Sequence, residues 1–112
     1  MRKLIFVILL VLIMPVAAQA AGVTLSWTAP TTNTDGTTLT NLGGYTLYYG
    51  RISGIYTAFI DVGNVTTYTM TGLAAGTWYF VATAYNTSGL ESGYSNEAIK
   101  VMQNHFSFLG GD

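Results

Sequence analysis

The sequence has no cysteine, one histidine, two prolines, and only four basic and five acidic side chains in 112 residues. Each shortage excludes something. Without cysteine there is no disulfide, no thiol nucleophile and no lipid-anchored N-terminus, so a small domain must rest on its core alone. With His105 as the sole imidazole, no zinc site of three or four ligands can be assembled. So few bases cannot neutralise a run of phosphates, which excludes nucleic acid as a partner. No serine or threonine has a candidate base, and the acids Asp35, Asp61, Glu91 and Glu97 are predicted to lie in or near different loops, so a catalytic constellation is not expected. No cofactor is implied.

What is present falls into three segments. Residues 1–20 read as an export signal: Arg2 and Lys3 precede the apolar run Leu4–Met14, Pro15 breaks it, and Ala18-Gln19-Ala20 supplies small residues for cleavage after Ala20. The run is too short to span the hydrocarbon, which takes roughly 20 helical residues, so no membrane anchor remains after cleavage. The expected location is outside the cell or in the periplasm. Residues 21–102 form the expected domain and residues 103–112 a tail. After cleavage Arg51 and Lys100 face five acids, a net charge of −3.

The domain reads as all-β. Val23, Leu25 and Trp27 alternate with Thr24 and Ser26, which predicts a half-buried strand. Tyr45, Leu47 and Tyr49 share a face in the next strand. Weaker strands follow over Tyr56–Val62 and Thr67–Met70, then a long one over Thr77–Tyr85 and a last one near Ser95–Val101. Turn residues punctuate each interval. Asn33-Thr-Asp35-Gly36 is a turn signal rather than a calcium loop, since it lacks the further acidic ligands. Asn64-Val-Thr66 and Asn86-Thr-Ser88 fit the glycosylation sequon.

Taken in order, Leu25-Ser-Trp27-Thr-Ala-Pro30, Gly44-Tyr45-Thr-Leu-Tyr-Tyr49-Gly50, Leu73-Ala-Ala-Gly76-Thr77, Ala84-Tyr-Asn86-Thr-Ser-Gly89 and Gly93-Tyr94-Ser95-Asn96-Glu97 resemble the fibronectin type III domain. The resemblance covers about Val23 to Val101. It implies an immunoglobulin-like β-sandwich of two antiparallel sheets, one holding strands B and E, the other C′, C, F and G. It places Trp27, Tyr45, Leu47, Leu73, Trp78 and Phe80 in or against the core. Trp78 takes the position where the family carries its corner tyrosine. Only Ala21 and Gly22 precede strand B after cleavage, so the family's strand A is expected to be missing.

Alternation leaves Tyr48, Tyr79 and Tyr85 on the outer face of the C′CFG sheet as a candidate binding surface, with no polar pocket expected beside it. The expected function is a secreted, non-enzymatic binding or adhesion module whose partner is an extracellular protein or a polysaccharide. The alternative is a structural subunit that self-associates by strand exchange, using an open B edge and the apolar tail Asn104–Leu109.

Overall fold

The computed structural model describes residues 9–12 and 22–103. These form seven strands: β1 (Leu9–Leu12), β2 (Gly22–Trp27), β3 (Leu42–Gly50), β4 (Ala58–Gly63), β5 (Thr67–Thr71), β6 (Gly76–Asn86) and β7 (Ala98–Met102). One sheet has the order β1-β2-β5 and the other β4-β3-β6-β7. Every pairing is antiparallel. This is the two-sheet sandwich the residue pattern implies.

Strand β2 shows how the pattern works. Val23, Leu25 and Trp27 are buried between the sheets. Thr24 and Ser26 point outward and meet Thr69 and Thr67 of β5 hydroxyl to hydroxyl, at 3.0 and 3.2 Å. Such cross-strand pairs fix the register without adding charge. Across the core, β6 turns Phe80, Ala82 and Ala84 inward. Ala84 lies opposite Tyr45 and Ala82 opposite Leu47 in the β3–β6 register. Small residues facing large ones let the layers interdigitate. The Trp27 and Tyr45 rings meet edge to face at 5.3 Å. Burial pushes the Tyr45 hydroxyl pKa above its ordinary 10.0, and the Trp27 side chain beside it offsets part of that rise.

The corner before β6 is held from two sides. The Trp78 indole N–H donates to the Ala74 carbonyl at 2.8 Å. Arg51 lies over the Trp78 ring, 4.7 Å from its centre, and donates to the Ala75 and Thr77 carbonyls. Gly76 is needed there: its φ is +124°, and the Arg51 guanidinium fills the place of a side chain. Leu73 and Trp78 are only partly buried against the core, whereas Trp27, Tyr45, Leu47 and Phe80 are fully inside it.

The expectation of a missing strand A concerns the chain after cleavage. The outer edge of β2 is not bare in the full chain. Leu9–Leu12 pairs along it antiparallel, with Leu9 opposite Trp27 and Leu12 opposite Thr24. An edge row of unpaired backbone groups accepts an apolar strand from within the same chain, and residues 9–12 supply it in strand A's place. Asp61 lies in β4 near its end at Gly63, within the strand expected over Tyr56–Val62. The cleavage point after Ala20 and the tail beyond Gln103, with His105, lie outside the described residues.

Candidate functional site

The outer face of the β4-β3-β6-β7 sheet carries the richest surface chemistry. On β6, Tyr79, Val81, Thr83 and Tyr85 point away from the core. Their neighbours in register are Gly50, Tyr48, Thr46 and Gly44 of β3. Tyr48 in turn faces Phe59 of β4, and Thr46 faces Asp61.

The segment that follows β6 folds back over this face. Its serines make that possible. The Ser92 and Ser95 amides donate to the Ala84 and Ala82 carbonyls, while their hydroxyls accept from the Ala84 and Ala82 amides at 2.9 Å. A side-chain oxygen thus completes a ladder that the backbone alone does not. The consequence is that Glu91 and Tyr94 lie against the sheet rather than in a free loop.

Tyr94 joins an aromatic cluster. Its ring centre is 5.3 Å from Tyr48 and 5.3 Å from Tyr56, at interplanar angles of 60° and 88°. Tyr48 also packs on Phe59 at 5.8 Å. Tyr94 and Phe59 are 58 % and 69 % exposed, so the cluster is open to solvent.

Carboxylates border it. Glu91 Oε2 accepts the Tyr48 hydroxyl at 2.5 Å and the Thr83 hydroxyl at 2.6 Å. Glu97 accepts Tyr56 and Ser53 hydroxyls at 2.6 and 2.7 Å and the Gly54 amide at 3.0 Å. Asp61 accepts the Tyr85 hydroxyl at 2.7 Å and, on the same oxygen, the Gly63 amide. Burial first, then the bond to Glu91 and its charge, pushes the Tyr48 pKa up to about 12. Tyr56 rises to about 12 for the same reasons, with Glu97 as the neighbour. Tyr85 rises chiefly through its bond to Asp61. The donors around Glu97, Tyr56 first and Ser53 next, hold its pKa below the ordinary 4.5.

Recesses among the described residues flank this chemistry. One, of about 300 Å³, is lined by Tyr48, Thr83, Glu91, Ser92, Gly93 and Tyr94. Strand alternation gave no reason to expect this recess. Another, of about 580 Å³, lies at one end of the sandwich and is walled by amides and hydroxyls including Asn33, Thr40, Asn41 and Ser88. There Asp35 caps a turn, accepting the Thr37 amide and hydroxyl, and Gly36 takes φ +89°. Asn86 is buried, and its side-chain oxygen accepts the Ser88 and Leu90 amides, so that sequon is spent on the turn; Asn64 is exposed.

The three tyrosines expected on this face do lie on it, but only Tyr48 sits in the cluster. Tyr79 lies two residues further along β6, opposite Ile99. Tyr85 lies over Gly43 and Gly44; a side chain on Gly44 would collide with its hydroxyl, and one on Gly43 would crowd its ring. Sequence reasoning missed Tyr56, Phe59 and Tyr94 as site residues. Among the described residues no group of three or more His, Cys, Asp or Glu could hold a metal ion.

The comparisons agree with this architecture. The family described as "Fibronectin type III domain" matches residues 13–101. The solution structure of the fibronectin type III domain of human fibronectin type III domain containing protein 3 is similar, with a TM-score of 0.53 at 19 % identity, over 90 % of this chain and 83 % of that one. At that identity it shows the fold alone. A Kelch domain-containing protein of Saccharolobus solfataricus is 48 % identical over 50 residues, 44 % of this chain and 7 % of that protein. The chain thus matches a small part of that much longer relative.

Proposed function

Because the chain belongs to the fibronectin type III family, we propose that it is a secreted, non-enzymatic binding module whose outer sheet face engages an extracellular protein or polysaccharide. The fold supports a generic binding or adhesion module. The observation that carries the finer reading is the solvent-open aromatic cluster of Phe59, Tyr48, Tyr94 and Tyr56. Rings exposed to this degree contribute little to the core, and aromatic side chains are the commonest anchors of interfaces. Export rests on the residues themselves: a basic start, a short apolar run and small residues at 18–20. Intact mass of the exported protein tests it, with Ala21 expected as the new N-terminus.

The binding reading is tested by replacing Phe59 and Tyr94 with serine. Wild-type and variant proteins are offered the surface fraction of the exporting cell and insoluble polysaccharide. Capture by the wild type that the variant loses, at an unchanged melting temperature, supports the reading. Equal capture by both assigns binding elsewhere.

A second reading is supported by the pairing of Leu9–Leu12 with β2. Cleavage after Ala20 removes that strand and leaves β2 as an edge. The tail Asn104–Leu109, with Phe106 and Phe108 two residues apart, carries the apolar alternation in sequence that a donated strand needs. Donated antiparallel to the next molecule, it would build an open filament. Deleting residues 105–112 from the chain that starts at Ala21 is the test. Loss of large species in solution supports exchange, and an unchanged mass removes it.

A further inference from the structure

We propose that the recess bounded by Tyr48, Tyr94 and Glu91 is a subsite for a cationic side chain, arginine or lysine, presented by a protein partner. The inference rests on the binding reading above and names the partner's chemistry.

Three observations carry it. The first is the geometry of the rings. Tyr94 stands at 60° to Tyr48 and 88° to Tyr56. At 5.3 Å these rings touch edge to face, so Tyr48 and Tyr94 form one continuous aromatic wall of the recess. A cation in the recess lies against that wall on the side where Glu91 stands, and the ring quadrupole attracts it there.

The second is Glu91. Its Oε2 takes both neighbouring hydroxyls, from Tyr48 and from Thr83, which is 1 % exposed. Those bonds aim and hold the carboxylate without neutralising it. The carboxylate therefore lines the recess as a fixed negative charge beside the aromatic wall.

The third is the distribution of charge. Glu91, Glu97 and Asp61 all border the outer face, and each is bonded there by neutral donors. The described basic side chains are elsewhere. Arg51 covers the Trp78 ring, and Lys100 is opposite Trp78 in register, on the inward side of the sheet. The face thus presents negative charge with no internal counter-ion from Arg51 or Lys100. Phe59 beside the recess provides apolar surface for the aliphatic stem that accompanies an arginine or lysine head.

The test uses a fluorescent hexa-arginine peptide and the neutral sugar cellohexaose, with the chain from Ala21 to Asp112. Binding of the peptide is expected, weaker at about 0.5 M than at about 0.1 M salt. Glu91→Gln and Tyr94→Ala are each expected to weaken it about tenfold. Asp35→Asn, which removes one negative charge from the other recess, is expected to leave it unchanged. Melting curves confirm that each variant is folded. Equal weakening by Asp35→Asn and Glu91→Gln would reduce the effect to diffuse charge and overturn the subsite. Absence of peptide binding to the wild type would overturn it as well. Binding of cellohexaose that survives Glu91→Gln would also overturn it, while leaving the outer face as a binding surface. Loss of all capture in the Phe59 and Tyr94 serine variant, with hexa-arginine unbound, would separate failure of the subsite from failure of the binding reading.

Discussion

Trp27 closes the buried side of β2 and meets Tyr45 edge to face in the middle of the sandwich. Its replacement by alanine removes a large ring from a core that no disulfide supports, and is expected to cost about 3–5 kcal/mol. Urea unfolding checks this: a midpoint close to that of the wild type would place the indole outside the core. The tyrosines of the outer face make a second expectation. Tyr48 and Tyr56 are raised from 10.0 to about 12 in the folded chain. Below pH 10 both states keep these protons, and the stabilisation is fully present. As pH rises from about 10 to about 12 the unfolded chain loses them first, so stability falls through that window. Thermal melts across it should show the fall, and a Tyr48→Phe, Tyr56→Phe double variant should show a shallower one. Glu97, lowered, acts in the opposite sense: its contribution holds above 4.5 and is lost as pH drops through the folded value. Tyr48 was legible on this face because a period of two assigns every strand residue a side. Tyr94 was not, because it lies outside the strands, where no period applies and only tertiary bonds place it; Tyr56 was read into a strand that in the structure begins only at Ala58.

The strands themselves were legible in type and order, and their ends were not. The long strand runs Gly76–Asn86 rather than Thr77–Tyr85, and the last begins at Ala98 rather than Ser95. In between, Ser92 and Ser95 pair with β6 through their side chains, which a backbone pattern does not register. β3 likewise starts at Leu42, since its glycines are part of the strand. Gly50, its last residue, shows why. A methyl group there would collide with the Ile55 carbonyl and lie 3.2 Å from the Tyr56 Cα, both backbone of the hairpin that leads to β4. Gly50→Ala is therefore expected to destabilise by about 1–3 kcal/mol, as overpacking does. It should also disturb the Tyr56–Glu97 bond next to it. Differential scanning calorimetry reads the first effect, and the Tyr56 ring resonances read the second.

At the scale of the molecule, a chain with few charges and no cysteine reaches a stable form by closing two sheets on one core. That much followed from apolar alternation at Val23, Leu25 and Trp27 and from the small-against-large pairing of β6 and β3. The partner of β2's outer edge did not follow, because Leu4–Met14 reads as a leader by composition and carries no period that marks four of its residues as a strand. The chain from Ala21 to Asp112, lacking β1, is expected to melt lower than the full chain by at least about 4 °C if the lost pairing contributes about 1 kcal/mol. Equal melting temperatures would mean that β1 adds nothing to stability. The pairing also sets a race. For a chain exported as proposed, residues 9–12 cannot lie in the sheet and at the same time be gripped by an export channel that needs an extended, apolar leader. A precursor that completed the sandwich before reaching the membrane would hide its own address. Under the proposed export, slow closure of the β1–β2 pair, or a chaperone that delays it, becomes a condition for delivery, and the speed of folding counts as well as its outcome.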